Sequence, residues 1–83
     1  MNWPVWWDWE LEITPHIEKR MIQRGFTEVD LRTMLHGAIG CRADVVPDRS
    51  VVEARHRGRA WEIIVEPDYE ERRLVVITAY STE

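Results

Sequence analysis

Several features that define common protein classes are missing from this sequence. Its one cysteine, Cys41, cannot form an internal disulfide, and with only three histidines beside it a structural zinc site is not expected. No stretch approaches the roughly 18 apolar residues of a membrane span. The N-terminus has no basic region followed by an apolar run, as a secretory signal would. These absences predict a cytoplasmic protein with no metal or other cofactor and no membrane contact.

Familiar catalytic motifs are missing too. The four glycines are too scattered for a phosphate-binding loop, and there is no serine nucleophile elbow and no metal-binding histidine pair. Any chemistry must therefore come from histidine, arginine and carboxylate groups.

The net charge of −4 argues against binding nucleic acid through bulk electrostatics. However, Asp8, Glu10 and Glu12 fall in the first twelve residues, where no basic side chain occurs, so the rest of the chain is close to neutral. Ten of the eleven basic residues are arginine, the side chain best suited to bidentate phosphate contacts. A coding sequence rich in G and C explains the arginines equally well.

The chain of 83 residues is long enough for a single domain, 1–83, with a thin core. Its first part, 1–12, is acidic and rich in tryptophan. Apolar and acidic residues alternate here, which predicts a half-buried strand. The apolar side carries Trp7, Trp9, Leu11 and Ile13, with Trp3 and Trp6 outside the alternating set. Four tryptophans within nine residues exceed what a small core absorbs, so we expect some to face a partner, a second copy or a ligand.

Two helices are predicted next. Thr14 and Pro15 form a typical helix start, and Gly25 supplies a left-handed residue to end the helix after Arg24. Thr27 opens a second helix with an acidic residue three positions on, as in a capping box, and this helix ends at Gly37.

From residue 40 onward the apolar period becomes two, which predicts four more strands at 41–46, 51–56, 60–66 and 74–80. The last is almost continuously apolar and is expected to lie centrally in the sheet. The predicted class is α+β: an N-terminal strand, then a two-helix hairpin packed on one face of an antiparallel sheet of about four further strands.

The first candidate site lies on the first predicted helix. His16, Arg20 and Arg24 are spaced four residues apart and share one stripe. A histidine beside two guanidinium groups combines an acid or base with phosphate ligands, as attack by an RNA 2′-hydroxyl requires. An ordinary solvated helix face has the same pattern.

The second candidate site is the predicted hairpin around Gly58. Simple alternation puts Arg55, Arg57 and Arg59 on one side of the ribbon and His56 on the other. Basic side chains beside Trp61 can bind an RNA backbone and stack a base. Equally, these arginines can pair with glutamates on the neighbouring strands.

Three other polar residues have simpler interpretations. His36 is expected to be a cation at a helix C-terminus, and Cys41 a small buried side chain. Tyr80 ends the last strand, where its hydroxyl can reach a site or simply lie at the edge of the core.

Three segments carry a resemblance to a known family. Residues 13–27 resemble the opening signature of a family of small uncharacterised bacterial domains: a histidine after a Ser/Thr cap, an arginine four residues later, then Arg-Gly, an apolar residue and threonine. Residues 58–61 and 75–80 resemble its Gly-Arg-aromatic strand and its last strand. The family is grouped with the barnase–EndoU–colicin–RelE fold, which includes the RelE, ParE and BrnT toxins, and the likeness covers roughly residues 13–80.

The resemblance implies a RelE-like core and a role for particular residues. His16 and Arg20 match the prominent His and Arg of the family, and Arg59 matches its strand arginine. Thr78 and Tyr80 match polar residues near the end of the domain. His16, Arg20, Arg59 and Tyr80 are thus the predicted catalytic residues.

Two functions follow as hypotheses. One is a toxin-like RNA-targeting domain of a toxin–antitoxin or phage or mobile-element system, cleaving RNA without metal. Its predicted RNA- and phosphate-binding residues are Arg24, Arg55, Arg57 and Trp61. The other is a non-catalytic interaction module, an inhibitor or a complex subunit. It would dock an antitoxin or another protein, or form a homodimer, through Trp3, Trp6, Trp7 and Trp9.

Overall fold

The computed structural model describes residues 3–83 and has the mixed α+β architecture that the sequence predicts. A 3₁₀ helix comes first, followed by one strand, two helices and four strands. In chain order these are the 3₁₀ helix Val5–Asp8, β1 (Glu10–Ile13), α1 (Pro15–Arg24), α2 (Glu28–His36), β2 (Gly40–Ala43), β3 (Ser50–His56), β4 (Arg59–Asp68) and β5 (Arg73–Ser81).

All five strands form one sheet in the order β1-β5-β4-β3-β2. The last four strands make an antiparallel meander, whereas β1 pairs parallel with β5, with Leu11 opposite Leu74 and Ile13 opposite Val76. Strand β5 is therefore an interior strand, as its apolar sequence predicts. Strands β1 and β2 are the two edges.

Both helices begin and end where the capping residues predict. The Thr14 hydroxyl accepts a hydrogen bond from the Ile17 amide at 3.3 Å, Pro15 occupies the first turn, and Gly25 ends α1 with φ of 70°. At the start of α2, Thr27 and Asp30 form a reciprocal capping box. Residues 25–27 thus turn the chain sharply between the two helices.

The core lies between the helices and one face of the sheet. Ile17, Leu31 and Met34 from the helices pack in one cluster with Val52 and Ile63 from the sheet. All five are 1% exposed or less. Burying each of these side chains contributes about 1.5–3 kcal/mol. The other face of the sheet carries charged side chains together with the buried Val51 and Ile64, which lie opposite each other on β3 and β4.

The N-terminal segment differs from the long alternating strand that the sequence predicts. Residues Val5–Asp8 form a 3₁₀ turn, with the Trp7 amide bonded to the Pro4 carbonyl and the Trp9 amide to the Trp6 carbonyl. The turn rotates Trp6 into the core, where it is 5% exposed. Trp6 is therefore a core residue and not part of an exposed surface. Residues 1 and 2 of the predicted segment lie outside the described residues.

No helix in residues 3–83 is long and apolar enough to cross a membrane.

Candidate functional site: an arginine-lined cleft

A cleft of about 180 Å³ opens where the end of α1, the start of α2 and the β3–β4 hairpin meet. We call it the arginine cleft. It is lined by Arg24, Gly25, Asp30, His56, Arg57, Arg59 and Trp61. Four of these, Arg24, Arg57, Arg59 and Trp61, are site residues that the sequence predicts, and Asp30 and His56 are additional.

The hairpin turn explains why His56 lies in this cleft. Arg57 and Gly58 have φ of 52° and 77°, so the loop is a two-residue turn with both residues left-handed. His56 and Arg59 are therefore directly opposed across the hairpin. Opposed residues share one face of a sheet. The predicted grouping of Arg55 with Arg59, opposite His56, is wrong because the alternation does not continue through the turn.

Asp30 and His56 form the polar centre of the cleft. The Oδ1 atom of Asp30 lies 3.2 Å from Nε2 of His56 and 3.5 Å from Nη2 of Arg57. The side chains of Asp30 and His56 are only 13% and 15% exposed, whereas that of Arg57 is 74% exposed. The pair is thus held inside the cleft, and Arg57 lies at its mouth.

The capping box lowers the pKa of Asp30 below its ordinary value. Its carboxylate accepts the Thr27 amide hydrogen bond at 2.9 Å, which is the main cause, with a further contribution from the Arg57 charge. Asp30 is therefore ionised at neutral pH and can only accept hydrogen bonds. It follows that Nε2 of His56 donates the hydrogen bond in this pair, which leaves Nδ1 as the ring nitrogen that does not contact Asp30.

Arg24 and Trp61 also line the cleft, and the rest of the fold fixes both side chains. Nη1 of Arg24 donates to the Ala79 carbonyl at 2.7 Å and to the Thr78 hydroxyl at 3.2 Å, which fixes the guanidinium against β5. The Trp61 ring packs edge-on against Phe26, and its Nε1 is buried with no hydrogen-bond partner among residues 3–83. A buried donor of this kind is uncommon in proteins and has unused hydrogen-bonding capacity.

The other predicted catalytic residues lie outside the arginine cleft. His16 is exposed at the start of α1. It lies eight residues before Arg24, which is about 12 Å along the helix axis. Arg20 donates to Gln23 at 2.8 Å. Of the stripe on α1, only Arg24 reaches the cleft.

Tyr80 and Arg55 point to the opposite face of the sheet. The Tyr80 hydroxyl donates to Glu62 at 2.8 Å, and this bond raises the pKa of Tyr80 above its ordinary value. Arg42 completes the group by donating to the same carboxylate at 2.8 Å. Arg55 donates to the Gly58 carbonyl at 3.2 Å.

A second cleft, of about 300 Å³, lies between the N-terminal segment and the end of α2. We call it the tryptophan cleft. Its lining includes Trp7, Trp9, Leu11 and, from α2, His36. Trp3 stacks on Trp7 with ring centroids 4.2 Å apart. Of the four tryptophans predicted at an interface, Trp7 and Trp9 thus line this cleft, and Trp3 is half-buried beside Trp7.

Cys41 is half-buried on β2 and packs against the core. Burial, and then the Glu53 charge, raise the pKa of its thiol. Within residues 3–83 no group of three or more His, Cys, Asp or Glu side chains is arranged to hold a metal ion.

The sequence contains a signal that would have located His56. A two-residue Arg-Gly loop between strands predicts a tight turn, and such a turn opposes the two flanking residues. No comparable sequence pattern predicts that Asp30 belongs to the cleft, because the residues around it indicate only a helix-capping role. Only the packing of α2 against β3 brings the two side chains together.

Comparison with known proteins identifies the family to which the chain belongs. No curated protein and no solved structure matches the chain. A family model described as a domain of unknown function, DUF4258, matches residues 13–81, which include both helices, the meander and every residue of the arginine cleft. The match covers far more than half of the chain, and the protein therefore belongs to the DUF4258 family.

Proposed function

We propose that this protein is a toxin-like RNA-targeting domain whose arginine cleft cleaves RNA without a metal ion. The observation that carries the proposal is the Asp30–His56 pair, held inside a cleft lined by Arg24, Arg57 and Arg59. An oriented histidine can act as a general base, and guanidinium groups can stabilise phosphate charge, two contributions to metal-free cleavage of a phosphodiester.

The three arginines supply the phosphate-binding part. Arg24 is fixed by β5, and Arg59 lies opposite His56 on the hairpin. Guanidinium groups in this arrangement bind the two non-bridging phosphate oxygens and stabilise the charge that develops on them as the phosphorus becomes five-coordinate. Trp61, on the wall of the same cleft, offers an aromatic surface to an adjoining base.

His56 is the proposed general base and Asp30 its positioning residue. Nδ1 of His56 takes the proton from the 2′-hydroxyl, whose oxygen then attacks the adjacent phosphorus. The bond from phosphorus to the 5′-oxygen breaks, leaving a 2′,3′-cyclic phosphate and a 5′-hydroxyl. Arginine is too basic to donate a proton. The departing 5′-oxygen therefore takes its proton from water.

The charge distribution of the protein fits local rather than bulk recognition. The cleft holds three arginines against one aspartate. The remaining eight basic and fourteen acidic side chains give the rest of the chain a net charge of −6. RNA is then attracted mainly at the cleft, so we expect binding that depends on few phosphate contacts.

The three histidines permit a matched test. Wild type, His56→Ala, His16→Ala and His36→Ala are each incubated with total RNA in EDTA, and the new ends are analysed chemically. We expect cyclic-phosphate ends from wild type and His36→Ala, and a loss of about 10²-fold or more in His56→Ala. If His16→Ala lost activity while His56→Ala kept it, the catalytic histidine would be His16 on α1. If wild type did not cleave RNA, the ribonuclease proposal would be refuted.

A second candidate function is supported by a different part of the molecule. Trp7 and Trp9 line the tryptophan cleft beside the edge strand β1, and Trp3 stacks on Trp7. Large aromatic side chains at an edge of this kind favour a protein-docking surface. The test is binding of candidate partners by the double variant Trp7→Ala, Trp9→Ala. Unchanged binding would remove the support for docking at this surface.

A further inference from the structure

We propose that the free edge of β1 binds an extended partner segment in which basic and apolar residues alternate, so that the segment becomes a sixth strand of the sheet. The proposal rests on the second candidate function and specifies its partner. It is carried by the edge position of β1, the different chemistry of its two faces and its charge.

Strand β1 has one neighbour only. It pairs parallel with β5 through Glu10–Ile13, and in residues 3–83 no strand lies on its other side. Alternate backbone amides and carbonyls of β1 therefore face outward, as a template for a further strand.

The two faces of β1 differ in chemistry. Leu11 and Ile13 lie opposite the buried Leu74 and Val76 and pack against the core. On this side, beside the strand, lies the 300 Å³ tryptophan cleft. Successive residues of a strand point to opposite faces, so Glu10 and Glu12 lie on the side away from the helices. A strand added to this edge meets apolar surface on one face and carboxylates on the other.

Charge selects a basic partner. Asp8, Glu10 and Glu12 are the ionisable side chains of residues 3–13, and none of them forms an ion pair within 4.0 Å with another described residue. Arg73 on β5 lies opposite Glu10, whereas Glu12 lies opposite the apolar Val75 and has no basic neighbour in the register. Arg or Lys at alternate positions of an added strand would lie across from Glu10 and Glu12, the favourable cross-strand arrangement.

The same charges disfavour a second copy. Two β1 strands related by a two-fold axis would place the Glu10 and Glu12 side chains of both copies on one face, next to one another. Like charges on adjacent strands are destabilising.

The order of residues in the partner can be tested with defined peptides. The probes are a blocked heptapeptide of alternating arginine and valine, a peptide of the same composition in block order, and the alternating peptide N-methylated throughout. Binding is followed by NMR of the labelled protein, with amide hydrogen exchange at residues 10–13. We expect the alternating peptide to bind most tightly and to protect these amides. Only this peptide combines backbone N–H donors with valines on the apolar face of the sheet and arginines on the acidic face. Equal binding of the block peptide would overturn strand addition while leaving docking at the tryptophans intact.

Charge reversal supplies the matched control. In the double variant Glu10→Lys, Glu12→Lys, affinity for the arginine–valine peptide should fall at least about fivefold, and an alternating glutamate–valine peptide should now bind. The variant Asp44→Lys, Asp48→Lys makes the same charge change in the β2–β3 loop, at the opposite edge of the sheet, and should have little effect. Equal losses of affinity in both variants would show that binding follows only the net charge of the protein, and would overturn the proposal. The proposal would also be overturned if light scattering showed a wild-type dimer and the Glu12→Lys variant dimerised more strongly, because β1 would then pair with a second copy.

Discussion

Asp30 joins the start of α2 to the tip of the β3–β4 hairpin through His56, 26 positions further along the chain. One carboxylate oxygen lies 2.9 Å from the Thr27 amide, and the other lies 3.2 Å from Nε2 of His56. The side chain that caps the helix therefore also sets the position and the tautomer of the histidine. Because the cap fixes the carboxylate before any ligand arrives, the pair is preorganised.

The capping box predicts a specific loss of stability. Thr27→Ala removes the hydroxyl that accepts the Asp30 amide hydrogen bond at 3.1 Å, and should lower the free energy of unfolding by about 1 kcal/mol. Thr33→Ala changes the same residue type inside α2, where alanine is the better helix former, and should not destabilise the protein. Urea unfolding of both variants measures the difference, and equal losses would contradict the capping role.

The lowered pKa of Asp30 predicts a pH-dependent stability. Because this pKa is lower in the folded protein than the ordinary 3.8, the carboxylate contributes fully above that pH, and its contribution is lost as the pH falls through the lower folded value. The stability gap between wild type and Asp30→Asn should therefore shrink as the pH falls below 3.8. Urea midpoints at a series of pH values measure it.

Trp6 is predicted to stabilise the core and not to bind a partner directly. At 5% exposure its removal leaves a large cavity, so Trp6→Ala should cost about 3 kcal/mol or more. Its neighbour Val5 is 73% exposed, and Val5→Ala should change stability by less than about 0.5 kcal/mol. Thermal unfolding of both variants is the measurement, and a small loss for Trp6→Ala would mean that this indole is not part of the core.

Local chemistry explains which parts of the fold the sequence predicts well. Thr14, Pro15 and Gly25 act within one turn of the chain, as do Thr27 and Asp30, so each helix boundary is determined by neighbours a few residues away. The meander follows for the same reason, since its strands are joined by short turns. The parallel pairing of β1 with β5 is different, because it joins residues more than sixty positions apart.

Two errors in the sequence-based expectations have one physical cause. Alternation holds only while the backbone stays extended, and it is interrupted by the 3₁₀ turn Val5–Asp8 and by the left-handed pair Arg57 and Gly58. The first interruption sends Trp6 into the core. The second places His56 and Arg59 on one face. The arginine cleft thus depends on a turn type and on helix packing, and periodicity describes neither.

The hairpin turn couples stability to the proposed activity. Arg57 has φ of 52°, a conformation that disfavours most side chains but that asparagine tolerates, especially before glycine in a two-residue hairpin. Arg57→Asn should therefore raise the free energy of unfolding by about 0.5–1 kcal/mol, since the exposed pair with Asp30 contributes little in return. The same variant removes a guanidinium from the mouth of the cleft, and should weaken RNA binding and cleavage.

Arg72 supplies a close control for that prediction. It has φ of 53° in the β4–β5 turn, outside the arginine cleft. Arg72→Asn makes the same change of charge in the same backbone conformation, so it should stabilise the protein in urea unfolding and leave RNA cleavage in EDTA unchanged. If both variants lost activity equally, the decrease would follow net charge and Arg57 would have no local role. If only Arg57→Asn lost activity while gaining stability, the result would show that Arg57 contributes to cleavage in the cleft at a cost to the stability of the turn.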